Sequence, residues 1–216
     1  MRSLCHPIEA RLGKAFTLIE LLVVISIIAV LAGLTTSVAG RATSAGRISR
    51  TRGELHQLQT AIDAYQSQLN FFPPDNRMNP AVNPLFYELS GVVTTDGLTF
   101  QTKNSSEKIS STALKNYFGV EGILNQAKES RNARSYANFR SSQYAEISVN
   151  PDVEVLVAPV KMPLAIQGRT LVQPIPNKPG LNPWKYVSTS PTNNPSRYDL
   201  WVDLIIAGKT NRVGNW

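Results

Sequence analysis

An α+β fold, in which a long N-terminal helix packs on a small antiparallel sheet, is predicted by three features of the sequence. No proline interrupts the chain from Phe16 to Phe72, and Pro73 and Pro74 then close that stretch. In its second half, Ile48, Leu55, Leu58, Ile62, Tyr65 and Leu69 recur at spacings of 7, 3, 4, 3 and 4, which is one stripe of a helix. Beyond it the chain breaks into short β-rich runs, separated by Pro- and Asn-rich loops such as "PIPNKPGLNPW" and "TSPTNNPS".

The chemistry available to the chain is limited. Its 216 residues suggest one domain plus an additional segment. The formal charge of +7 comes from 22 Lys and Arg against 15 Asp and Glu, scattered along the whole length. That distribution reads as a solvated basic surface, and no nucleic-acid partner is expected. Cys5 is the only cysteine, so no disulfide framework and no Cys-based metal or redox site can form. Of the two histidines, His6 lies in the same N-terminal leader and His56 has no acid or nucleophile patterned with it. No G-x-S-x-G, Walker A or HExxH spacing occurs, and the chain is not expected to be an enzyme.

Taken in order, residues 1–15 form a basic leader carrying Arg2, Arg11 and Lys14. Residues 16–40 form an apolar helix, and Leu21 to Gly40 contains no charge at all. Twenty helical residues rise about 30 Å, the thickness of a bilayer's hydrocarbon. A secretory signal peptide with a small-residue site at "SVA" before Gly40 is the alternative. It leaves Glu20, inside the leading edge of the run, without a purpose, and a carboxylate in hydrocarbon is costly. Residues 41–72 continue the helix amphipathically to about Asn70, for a total of ~80 Å. Residues 73–216 are the globular α+β part. There "NPLFYELSG" reads as a short helix ended by Gly91, and 107–136 as one or two short polar helices. Strands are expected at 98–102, 145–149, 153–160, 170–175, 184–188 and 198–206.

The segment "AFTLIELLVVISIIAVLAGL" resembles the N-terminus of type IV pilins and type II secretion pseudopilins. The resemblance implies that a prepilin peptidase cuts between Ala15 and Phe16 and that the new amine of Phe16 is methylated. Glu20 then stands fifth in the mature chain. Ala15 replaces the family's usual Gly, and Ser37 stands where many members have Pro. The family implies that Glu20 of one subunit neutralises the Phe16 amine of its neighbour during assembly. Burying that amine unpaired would be expensive. Four arginines (Arg41, Arg47, Arg50 and Arg52) follow the span and outnumber the cations before it. Cation counts alone leave the orientation open, and the motif sets the leader on the cytoplasmic side.

The C-terminal residues Asn182, Pro183, Trp184, Tyr186, Val187, Ser188, Tyr198, Asp199, Asn215 and Trp216 resemble the major pseudopilin pattern, while 92–181 diverges. The resemblance therefore implies a structural subunit of a pseudopilus or pilus-like filament serving type II secretion. Its partners would be copies of itself, other pseudopilins, the prepilin peptidase and methylase, and an inner-membrane assembly platform. It would be a single-pass protein of the bacterial inner membrane with its C-terminal domain in the periplasm. A minor or tip subunit, a DNA-uptake pilus subunit hinted at by "RNARSYANFR", and an exported binding protein are the alternatives. No cofactor is expected. The family's calcium would have only Asp199 and Asp203 to hold it, and two carboxylates make a poor site.

Overall fold

The computed structural model of the chain describes the backbone of residues 16–216, and their side chains except at 34–39 and 41. The expected leader and Ala15 lie outside the described residues. The chain divides into two units, one ending at Thr43 and one running Ser44–Trp216. Helix α1, Leu18–Leu69, contributes to both.

The end of α1 follows from local sterics. Asn70 adopts φ 64 and donates its N–H to the Gln66 carbonyl at 2.8 Å, a left-handed cap that Asn tolerates. Pro73 and Pro74 then exclude further helix. In the second unit the predicted stripe faces inward: Leu55, Leu58, Ile62 and Tyr65 are buried, and Ala61 and Thr51 join them. Ile48 and Leu69 are partly buried against the same core. Each large side chain sealed here contributes about 2 kcal/mol relative to exposure.

The remaining elements follow in chain order. Helix α2, Leu85–Ser90, is buried at every residue and stops at Gly91, as read from the sequence. A Cβ at Gly91, which has φ 70, would lie 2.0 Å from the Arg134 carbonyl oxygen, so only glycine fits. Strands β1 (Val92–Val93), β2 (Thr99–Thr102) and β3 (Lys108–Ser110) follow. A single α turn, α3 (Ser111–Ala113), then runs into a π turn at Leu114–Phe118. Next come β4 (Gln126–Ala127), β5 (Tyr144–Val149), β6 (Asp152–Leu156), β7 (Ala165–Ile166) and β8 (Arg169–Thr170). The chain closes with β9 (Lys185–Val187), β10 (Asp199–Ile206) and β11 (Lys209–Gly214).

These strands do not form the single small sheet that was expected. They form four: β3-β2-β1-β4, the β5–β6 and β7–β8 hairpins, and β11-β10-β9. All pairings are antiparallel except β1 with β4. The run 153–160 leaves the strand after Leu156, and Val157 makes only an isolated bridge to Pro183. Proline at 159 and at 174 and 176 removes ladder donors, which shortens this run and 170–175 alike. The polar helices expected across 107–136 reduce to the turn at 111–118, and "RNARSYANFR" is not helical. Arg134 instead donates to Gln68 Oε1 at 2.6 Å, and the Tyr136 ring packs 5.3 Å from Tyr65. Tertiary contacts with the end of α1 thus use groups that, read alone, suggested a solvated helix.

Trp184, 1% exposed, is among the largest fully buried side chains of the core. Asn83 Nδ2 donates to the Trp184 carbonyl at 2.8 Å, and Asn182 Nδ2 donates to the carbonyls of Val160 and Asp203 at 3.0 Å each. The Asn-Pro-Trp segment therefore ties the loop before α2 to the C-terminal sheet.

Candidate functional site

The first turn of α1 is built by a reciprocal pair. Thr17 donates its backbone N–H at 2.9 Å and its hydroxyl at 2.8 Å to Glu20 Oε2. Glu20 N–H returns to Thr17 Oγ1 at 3.3 Å. This is a Thr-x-x-Glu capping box, which satisfies donors that the start of a helix leaves unpaired. The sequence reading gave Glu20 a role between subunits and missed this one, although Thr17 three residues before Glu20 is the motif's signature.

Beyond the cap, α1 is apolar on every side. All Leu, Ile and Val side chains from Leu18 to Leu31 are exposed, none less than 45%, and Phe16 is 79% exposed. The interior residues Ile62 and Tyr65 of the same helix are 0% exposed. A contiguous exposed apolar surface of this size marks a segment that is buried in something other than its own domain. Among the described residues no helix is long and apolar enough to cross a membrane. The side chains of 34–39 and 41 are not described, so the span read over 16–40 rests on the sequence.

Residues 11–36 match the family model of the prokaryotic N-terminal methylation motif. The chain carries a prepilin-type N-terminus. The match covers the Ala15–Phe16 junction, Thr17 and Glu20, and it supports a type IV pilin-like or pseudopilin subunit. The motif implies processing by prepilin peptidase and assembly into pilin-type filaments. The likeness of residues 182–216 to a major pseudopilin lies outside the matched segment. No curated protein and no solved structure matches the chain.

The two calcium candidates are engaged separately. Asp199 is buried, and its Oδ2 accepts the N–H groups of Thr192 and Asn193 at 2.9 Å each. Its Oδ1 accepts the N–H and the side-chain amide of Asn194 at 2.9 and 3.3 Å, and the Asn193 side-chain amide donates to Oδ2 at 3.0 Å. Asp203 lies between Lys185 Nζ at 2.8 Å and Arg212 Nε at 2.7 Å. Burial raises the Asp203 carboxyl, but the Arg212 and Lys185 bonds and charges outweigh it and hold the group below its ordinary range. A calcium site needs oxygens free to face a cation. Here N–H donors and cations already face these carboxylates, so the residues do not fit the metal.

A second buried aspartate completes this arrangement. Asp75 accepts the backbone N–H groups of Ser188 and Thr189 and the Thr189 hydroxyl, at 2.7 to 2.9 Å. Asp75 and Asp199 therefore hold the 188–194 loop from two sides by charge-assisted bonds. Sequence reading did not find Asp75, because its partners lie more than a hundred residues away. His56 is exposed.

Proposed function

We propose that this chain is a structural subunit of a pseudopilus or related type IV pilus-like filament and that it serves type II protein secretion. The observation that carries the reading is the all-round apolar exposure of α1 directly behind a Glu-capped, methylation-type N-terminus. Prepilin peptidase would cut after Ala15, and the methylated amine of Phe16 would meet Glu20 of a neighbouring subunit. The apolar helix would hold the subunit in the inner membrane before assembly, with the second unit in the periplasm, and would form the filament core afterwards. An assembly platform in the inner membrane would be the other partner. The activity is assembly and uses no cofactor or catalytic group.

In the free subunit Glu20 is committed to its own helix. The reading therefore adds an exchange: on assembly, the Glu20 carboxylate trades or shares its Thr17 donors for a neighbour's ammonium. A charged donor strengthens the bond and removes an otherwise unpaired ion.

Intact mass and N-terminal sequencing of the protein from its native membranes test the route. A chain beginning at Phe16 with one added methyl group is the expected result. A chain beginning at Gly40 would mean ordinary export and would end the filament reading.

A further inference from the structure

Two hairpin tips of the globular unit repeat one short pattern. The β7–β8 tip reads Ile166-Gln167-Gly168-Arg169-Thr170, and the β10–β11 tip reads Ile206-Ala207-Gly208-Lys209-Thr210. In each, the two central residues have positive φ, 48 and 77 in the first and 51 and 74 in the second. That is the geometry of a tight two-residue hairpin turn. In each, the residue that follows is an exposed cation and the next an exposed threonine. The tips are neighbours: a Cβ at Gly208 would lie 3.8 Å from Ile166 Cγ2.

The charge of the C-terminal part of the chain is one-sided. Residues 155–216 contain seven Lys and Arg and only two acids, Asp199 and Asp203. Asp199 is consumed by the loop N–H groups and Asp203 by Lys185 and Arg212. Lys178 pairs with Glu146 and Arg197 with Asp63. Lys161, Arg169 and Lys209 remain, all exposed and without an ion-pair partner among the described residues. Leu164, 57% exposed, and Val172, 92% exposed, flank the β7–β8 hairpin, which among the described residues pairs with no other sheet.

We propose that these paired tips are a contact site for an anionic phospholipid surface. Cations with hydroxyl donors fit headgroup phosphates, and aliphatic side chains on a lone hairpin fit the boundary between headgroup and acyl chain. A folded acidic partner would need a pocket shaped to Leu164 and Val172, whereas a bilayer accepts exposed aliphatic side chains without one. The site is independent of the Phe16–Glu20 junction and does not rest on the filament reading.

The test uses the full chain in a Cys5→Ser background, carrying a fluorophore on Val172→Cys or, as a reference, on Ser106→Cys. Vesicles contain nitroxide-labelled phosphatidylcholine, with or without phosphatidylglycerol. Co-flotation with neutral vesicles reports the N-terminal apolar helix alone, so failure of that reading is seen separately. The expected result is quenching at 172 that requires phosphatidylglycerol, exceeds that at 106 by about fivefold, and fades at high salt as surface charge is screened. The Arg169→Gln/Lys209→Gln chain, shown to be folded by its thermal transition, should lose it. Equal quenching in neutral vesicles, no excess at 172, or retention in the double variant would overturn the proposal. So would protection of 172 by an acidic protein in place of lipid.

Discussion

Glu20 carries two demands that one substitution can separate. The capping box needs an acceptor at this position, whereas the proposed junction needs a negative charge. Glu20→Gln keeps an acceptor for Thr17 and removes the charge, so membrane levels should hold while filament yield falls at least about tenfold, as a charge-assisted bond predicts. Thr17→Ala should cost about 1 kcal/mol at the helix start and leave most filaments intact. Sheared-filament yield against total protein measures both. The reverse ranking would make the cap the whole role of Glu20. Two other carboxylates are buried in the core without a cation. Glu88 accepts from Tyr65, Leu124 N–H and Asn125 N–H, and Glu154 accepts from the Tyr87 hydroxyl. Burial is the largest cause that raises both to about 7, against the pull of those bonds, and for Glu154 repulsion from Glu107, Asp152 and Glu146 contributes to that value. A folded-state value above the unfolded one means that the native protein holds the proton longer. Stability from each group is therefore full below about pH 4.5 and declines as pH rises toward 7, by on the order of 3 kcal/mol. Glu154→Gln keeps an acceptor for Tyr87 and should remove roughly half of that decline, seen in urea unfolding at pH 5 and pH 8. An unchanged slope would place the titration elsewhere.

Among the elements, the 188–194 loop is the one whose stability is set by two side chains. Asp75 and Asp199 are buried carboxylates that accept backbone N–H groups of this partly exposed loop and so fix its path. Asp199→Ala removes the acceptor for three N–H groups at once and should destabilise the globular unit by about 3 kcal/mol. Because the carboxylates face N–H donors, calcium or a chelator should move the thermal midpoint by less than about 1 °C, since a ligand that binds neither state shifts nothing. Calorimetry with and without calcium decides it, and a rise of several degrees would show that the loop rearranges around a cation. Helix α1 shows the opposite logic, with an interior stripe from Leu55 to Tyr65 and no interior face from Leu18 to Leu31.

Across the whole molecule, the division at Thr43 and Ser44 separates apolar surface left exposed from apolar surface already buried. Every buried hydrophobic side chain of the core falls at Leu55 or later among the described residues. A fragment beginning at Ser44 should therefore fold alone, with a cooperative thermal transition within a few degrees of the full chain's in detergent. A broad transition or strong dye binding would mean that the first unit completes the core. Filament formation should be lost in that fragment, since the exposed helix is what the proposed core is made from.

Some of this was legible in the sequence for a physical reason. Helix limits follow from prolines and from a period of 3.6, strand β10 from its alternation, and the N-terminal motif from a contiguous run of residues. Each of these is encoded within a few neighbouring positions. The rest depended on who meets whom across the chain. Tyr65 reaches Glu88 over 23 residues, Tyr87 reaches Glu154 over 67, and Asp75 reaches Ser188 over 113. The sequence by itself determined the helix, its apolar first half and the prepilin-type start. Only the tertiary structure decided that the strands divide into four small sheets and that the calcium candidates are already occupied. It also decided which three cations near the C-terminus have no ion-pair partner among the described residues. Local sterics and periodicity act between neighbours, whereas burial and charge pairing are settled only when distant segments pack.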